Sequence, residues 1–228
     1  MKTGVVILAA PLSRFMDYIA LTKPRLNSLV LMTTGVAYYL GSRGTFELIA
    51  FVNTLLGTAL VAGGAAALNQ VTECEPDGLM ERTRLRPIPD RRLESREGRL
   101  LGVGLAGAGL LLLLIGTPLV AAFLALATLV IYVAIYTPLK QRTSWAIAIG
   151  AIPGALPAAL GWAAARGTVS IEGWILFGIV FLWQIPHFLA IAWMYREDFK
   201  RAKFLFSRDV SAKKHKIIVL LLIVHFYS

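Results

Sequence analysis

Residues 68–92 read LNQVTECEPDGLMERTRLRPIPDRR. Glu73, Glu75 and Asp77 and then Arg82, Arg84 and Arg86 crowd into this stretch, while the blocks on either side, 48–68 and 100–116, hold no charged residue at all. A charged loop hung between oily blocks is the pattern of a chain that crosses a membrane and leaves its connections in water.

The rest of the chain supports that reading. Of 228 residues 57% are hydrophobic and the mean hydropathy is +0.69, more apolar sequence than the core of a soluble domain absorbs. Apolar segments lie at about 26–41, 48–68, 100–116, 118–137, 145–164, 173–195 and 217–227. Most approach the ~20 residues that a helix needs to span a bilayer. The odd count and the lack of polar–apolar alternation argue against a barrel, so the expected fold is all-α, a polytopic bundle of about seven segments.

Charge sets the expected orientation. With the N-terminus in the cytoplasm, 21 of the 23 Lys and Arg residues fall on the cytoplasmic side, and only Arg43 and Arg166 fall outside. That asymmetry is a strong positive-inside signal. The net charge of +10 is therefore read as membrane topology, and nucleic acid is not an expected partner. A signal-peptide reading of MKTGVVILAAPLSR would put Lys23 and Arg25 on the wrong side of the membrane. The single cysteine, Cys74, allows no intrachain disulfide and reads as a filler position. Gly57, Gly63, Gly64, Gly102, Gly104, Gly150, Gly154 and Gly161 are expected where helices pack closely.

Within the charged stretch Asn69, Glu73 and Asp77 are spaced i, i+4, i+8. Helical geometry lets all three line one side of a helix leaving the membrane. Carboxylates and an amide oxygen are hard ligands suited to Mg²⁺, which bridges such oxygens to substrate phosphates. The arginines downstream offer forked donors for phosphate. Pro76 lacks an N–H and clashes with the carbonyl at Thr72, so the helix is expected to end or kink near Glu73–Glu75. Lys140 and Arg142 in YTPLKQRTSW and Asp198 in WMYREDFKR fall on the same predicted side. A mixed-charge solvated loop is the plainer alternative. Against it, Asn69 closes an apolar block, where polar groups are costly.

These stretches resemble the UbiA superfamily of intramembrane prenyltransferases, and within it the protohaem IX farnesyltransferase (haem O synthase) branch. The resemblance rests on LTKPRL (21–26), NQVTECEPDGLMERTRLRP (69–87), YTPLKQRTSWAIAIGAIPGALPAALGW (136–162) and FLWQIPHFLAIAWMYREDF (181–199). It covers roughly residues 14–202; Leu85, Asp90 and the segment after Ala202 depart from the family pattern. Family members usually have nine helices, so residues 1–228 read as a single prenyltransferase domain truncated at its C-terminus. The resemblance implies Mg²⁺ on Asn69, Glu73, Asp77 and Asp198, the last from a second acidic region. It implies a leaving diphosphate held by Arg82, Arg86, Lys140 and Arg142. The implied substrates are farnesyl diphosphate and haem B, whose vinyl group attacks the allylic cation to give haem O after addition of water. The implied place is the cell inner membrane, multi-pass, with the active-site loops on the cytoplasmic side, and haem A synthase is the implied downstream partner. His187 is the candidate to face the haem; a lone His in a helix is otherwise a hydrogen-bonded packing group. The rival expectations are a superfamily member acting on an aromatic or quinone-precursor acceptor, and an inactive truncated paralogue. A transporter reading is weaker, because the interiors of the apolar blocks are nearly free of ionisable side chains.

Overall fold

The computed structural model describes residues 11–143 and 145–204. Among them the chain is all-helical: α1 (Pro11–Leu21), α2 (Pro24–Ser42), α3 (Leu48–Thr72), α4 (Cys74–Leu79), α5 (Ser95–Gly116), α6 (Leu119–Val130), α7 (Thr137–Leu139), α8 (Ala146–Arg166), α9 (Ile171–Met194) and α10 (Arg196–Arg201). A π-helical turn, Ile131–Tyr136, joins α6 to α7, so that Leu119–Leu139 runs as one span. Six of the seven apolar segments coincide with the long helices α2, α3, α5, α6–α7, α8 and α9; the seventh, 217–227, lies outside the described residues.

Five of these helices are long and apolar enough to cross a membrane. The sixth, α2, is 19 residues long but carries several hydroxyls and Asn27, which lower its hydropathy. The serine and threonine hydroxyls are satisfied inside the helix. Ser28, Thr33, Thr34 and Ser42 each donate to a carbonyl three or four residues earlier, which lowers the cost of placing them among apolar neighbours.

The bundle closes around α8. Its alanines and glycines present little bulk, so α2, α6 and α9 all pack on it, and most of the helix is buried. Pro153 and Pro157 sit inside α8, where neighbouring helices hold the shape that a proline disturbs. The tightest seam is α3 on α5. A Cβ built on Gly64 would stand 2.6 Å from the carbonyl oxygen of Gly102 and 2.7 Å from the amide of Ala106; one on Gly109 would stand 2.7 Å from the Gly57 carbonyl. Most of the glycines predicted to mark close packing do so. Gly104 does not: it has open space where a Cβ would go, because it lies on the outer side of α5.

The bundle has two unlike ends. At one, Arg43 after α2 pairs with Glu172 at the start of α9 (2.8 Å), close to the Arg166 end of α8. At the other gather the start of α2, the end of α3, α4, the start of α5, α7, and α9 running into α10. There α1 packs against α3 and α5, exposing Phe15 and Met16 and burying Asp17 and Leu21. It is held by Arg92 to Asp17, by Arg14 and Tyr18 to Glu97, and by Gln70 Nε2 donating to the Leu21 carbonyl (2.9 Å).

Candidate functional site

α3 ends at Thr72, Glu73 caps it through a bond from its own N–H to the Asn69 carbonyl, and α4 restarts at Cys74. The break falls where Pro76 predicts it. The change of direction does not scatter the acidic row. Asn69, Glu73 and Asp77 are 1%, 7% and 1% exposed. Burial at that level demands a partner for each, and each has a cationic one.

Lys23 Nζ donates to Asn69 Oδ1 at 2.9 Å. Lys140 Nζ lies 2.7 Å from Glu73 Oε1 and sits 4.5 Å above the Tyr136 ring. Arg86 Nη1 donates to Asp77 Oδ2 at 2.5 Å. Burial pushes the Lys23 ammonium down to about 7, aided by repulsion from Arg86. Burial also holds the Asp77 carboxyl above the usual carboxylate range, outweighing the neighbouring Arg86. Both directions express one fact: charges have been gathered in a place poor in water.

Lys140 reaches Glu73 because of the π turn. Pro138 has no N–H for the carbonyl of Ala134 and its ring crowds that oxygen; the backbone N–H of Thr137 bonds to Tyr132 O, five residues back. The Thr137 hydroxyl donates to the same carbonyl (2.7 Å) and accepts from Asn69 Nδ2 (3.1 Å). Asn69 is thus fixed at both ends of its amide, with Oδ1 presented toward Lys23. Such π turns are common at functional sites.

The structure thus joins Asn69, Glu73, Asp77, Arg86 and Lys140 at one end of the bundle. Arg82 stands on the loop after α4, with its guanidinium 4.7 Å above the Tyr195 ring. Arg142 is exposed in the connection after α7. Asp198 lies on α10, and its two carboxylate oxygens accept from the backbone amides of Glu81 and Arg82. Among the described residues no three His, Cys, Asp or Glu side chains form a metal-binding group. His187 stacks on Trp183, ring centroids 4.8 Å apart. A 60 Å³ cavity nearby, between the π turn, α8, α9 and α10, is lined by Phe188 and Tyr136 but not by His187.

Sequence reasoning passed over Lys23 and Thr137 as site residues. Lys23 carried the signal that singled out Asn69, a polar residue at the edge of an apolar block. Its backbone adds a second mark, visible only in the structure: φ 49°, ψ 60°, the left-handed region that side chains rarely adopt. Thr137 carried no signal, since its role depends on the π turn.

Three comparisons bear on what this end of the bundle belongs to. The UbiA prenyltransferase family model matches residues 30–227. The chain belongs to the UbiA prenyltransferase family. Its curated relatives include a Protoheme IX farnesyltransferase from Solibacter usitatus, 47% identical over 195 residues, covering 82% of this chain and 67% of the relative. Another, from Rhodopirellula baltica, is 44% identical over 193 residues, covering 84% and 67%. The chain therefore spans about two thirds of the length of the relatives it matches. Among solved structures, a UbiA homologue from Archaeoglobus fulgidus bound to DMAPP and Mg²⁺ superposes with a TM-score of 0.70 at 17% identity, covering 92% of this chain and 77% of that one. A digeranylgeranylglyceryl phosphate synthase superposes with a TM-score of 0.74 at 15% identity, covering 93% and 75%. These two establish the family's fold for this chain.

Proposed function

We propose that this chain is a Mg²⁺-dependent prenyltransferase that moves a farnesyl group from farnesyl diphosphate to a vinyl group of haem B, giving haem O and diphosphate. The observation that carries the reading is the set of three pairs, Asn69 with Lys23, Glu73 with Lys140 and Asp77 with Arg86, buried together at one end of an apolar bundle. The acceptor comes from the relatives named Protoheme IX farnesyltransferase.

The donor set fits Mg²⁺, since an amide oxygen and two carboxylates are hard oxygen ligands standing on successive turns. Asn69, Glu73 and Asp77 would hold the ion. When bound, Mg²⁺ neutralises charge that develops on the departing diphosphate. Lys23, Lys140 and Arg86 are already within reach of those ligands. With the carboxylates holding the ion, these three cations would be available to the phosphate oxygens, and the charge of the pocket would stay balanced. Arg82 and Arg142 add donors from the rim. The C–O bond of farnesyl diphosphate breaks with its electron pair going to the diphosphate. The vinyl π electrons form the new C–C bond with the allylic cation. Water then adds to the resulting carbocation and gives up a proton. The apolar walls of the bundle keep other water from the first cation.

The charged end faces the cytoplasm in this reading, with the chain in the cell inner membrane and haem A synthase as the expected consumer of the product. The test is direct. Membranes containing the protein, given farnesyl diphosphate, haem B and Mg²⁺, are expected to yield a product of haem O mass, and chelation is expected to stop it. Turnover of a phenolic acceptor alone would assign the chain to the aromatic branch. Equal inactivity of the parent and Asp77→Ala, with both fully expressed, would mark an inactive paralogue.

A further inference from the structure

We propose that Gln70 and Asn27 are positioning residues: their side-chain amides clamp the α1–α2 junction in the backbone conformation that delivers the Lys23 amine to Asn69. The part played by Lys23 in binding diphosphate rests on the farnesyl-transfer reading; the clamp itself does not.

The junction is short, Thr22 and Lys23 alone. α1 ends there and α2 begins at Pro24, so the carbonyls at the end of α1 have no next turn to serve them. Backbone amides reach three of the carbonyls. Thr22 N–H donates to Ile19 O (3.0 Å), Lys23 N–H to Ala20 O (3.2 Å), and the Leu26 and Asn27 amides both to Lys23 O. The two between, Leu21 O and Thr22 O, are served by side chains. Gln70 Nε2 donates to Leu21 O at 2.9 Å, and Asn27 Nδ2 donates to Thr22 O at 2.6 Å. Gln70 is 1% exposed and Leu21 0%, so water is no substitute for that bond. Gln70 Oε1 accepts no hydrogen bond among the described residues; the side chain works here as a donor.

Lys23 needs holding. Its φ of 49° and ψ of 60° lie where the Cβ of an L residue crowds the carbonyl that follows, and where helices commonly end on glycine. Pro24 adds to the strain, because the residue before a proline is pushed toward extended backbone. Packing does not fix the junction instead: Thr22, Pro24 and Asn27 line a cavity of about 310 Å³ between α2, α3 and α5. The conformation therefore depends on the clamp. A glycine would adopt it without strain but brings no amine. With lysine there, Nζ reaches Asn69 Oδ1 at 2.9 Å. Asn69 and Gln70 are neighbours on the last turn of α3, so a single turn of helix fixes the lysine at both ends, its amine and its backbone.

The first test is kinetic, on the protein in membranes with saturating haem B. Gln70→Met keeps the length of the side chain and removes the donor. It is expected to raise KM for farnesyl diphosphate about fivefold to tenfold, with kcat within about twofold of the parent. In a Lys23→Met background the same change is expected to add less than about twofold, because it acts through the lysine. Losses that simply multiply, or a fall in kcat at unchanged KM, would overturn the proposal. The second test needs no substrate. Amide hydrogen exchange at Thr22 and Lys23 is expected to quicken about tenfold in Gln70→Met, with the α3–α5 seam unchanged. Unchanged exchange at both amides, or a rise spread over the whole bundle, would refute the clamp. Asn27→Ala is expected to give the same pattern at smaller amplitude. If Gln70→Met does not fold, Asn27→Ala decides: a local exchange shift upholds the clamp, and parent-like kinetics and exchange sink it. If the parent yields no haem O yet the exchange shift is present, the farnesyl reading falls and the clamp stands.

Discussion

The α3–α5 seam and the charged end just beyond it solve opposite problems within a few turns of the same helix. In the seam stability comes from what is missing. Gly57, Gly64, Gly102 and Gly109 have no side chains, so two backbones touch, and close packing supplies the attraction that lipid does not oppose. At the charged end stability comes from opposites: Asn69, Glu73 and Asp77 are as buried as the glycines but tolerate it only because Lys23, Lys140 and Arg86 arrive from three other parts of the chain. The seam has one arrangement and resists change. The charged end has internal partners, which the proposed function exchanges for a metal and a phosphate, as a site that binds and releases a substrate requires.

The largest effect should fall on the seam. Gly64→Leu drives a side chain into the Gly102 carbonyl and the Ala106 amide, neither of which can withdraw, and a cost of about 3 kcal/mol or more is expected. The readout is loss of monodisperse protein on size-exclusion chromatography in detergent; a well-folded variant would show that the helices do not meet there. Next comes Asp77→Ala. The variant should remain folded yet lose about a hundredfold to a thousandfold in kcat/KM, because Arg86 stays while a candidate Mg²⁺ ligand goes. Full activity would break the proposed division between a rigid seam and an exchangeable cluster. Lys23→Met keeps the length of the side chain and removes the donor to Asn69. It is expected to raise KM for farnesyl diphosphate about tenfold with little change in kcat, which steady-state kinetics would resolve. The smallest effect belongs to the far end of the bundle. Arg43→Gln breaks the pair with Glu172, both half-exposed, and should leave activity unchanged and the melting temperature within about 2 °C.

The sequence revealed the main outline because the relevant signals are local. The apolar block 48–68 lies within α3, and 145–164 nearly coincides with α8, since segment length against bilayer thickness is a one-dimensional test. Pro76 marked the break between α3 and α4 for an equally local reason, its missing N–H. Asn69, Glu73, Asp77, Arg86 and Lys140 were visible as a metal-and-phosphate pattern, and the structure brings them together. Lys23 and Thr137 were not. Asp198, placed among the metal ligands by the family resemblance, accepts from the Glu81 and Arg82 amides in the structure. Gly104, counted among the packing glycines, faces open space, because which side of a helix faces its neighbour depends on a rotation that spacing does not supply.

What the sequence by itself determined is the family, the helices and the separation of charge between the two ends of the bundle; each follows from how many apolar residues stand in a row and where the cations interrupt them. What only the tertiary structure decided is the pairing: Lys23 with Asn69, Lys140 with Glu73 through the π turn, Arg86 with Asp77, and α10 with the Arg82 loop. Those contacts join residues up to 120 positions apart. They depend on the rotation and axial offset of helices packed in three dimensions, and a short electrostatic or hydrogen-bond contact is lost within an ångström or two of misplacement.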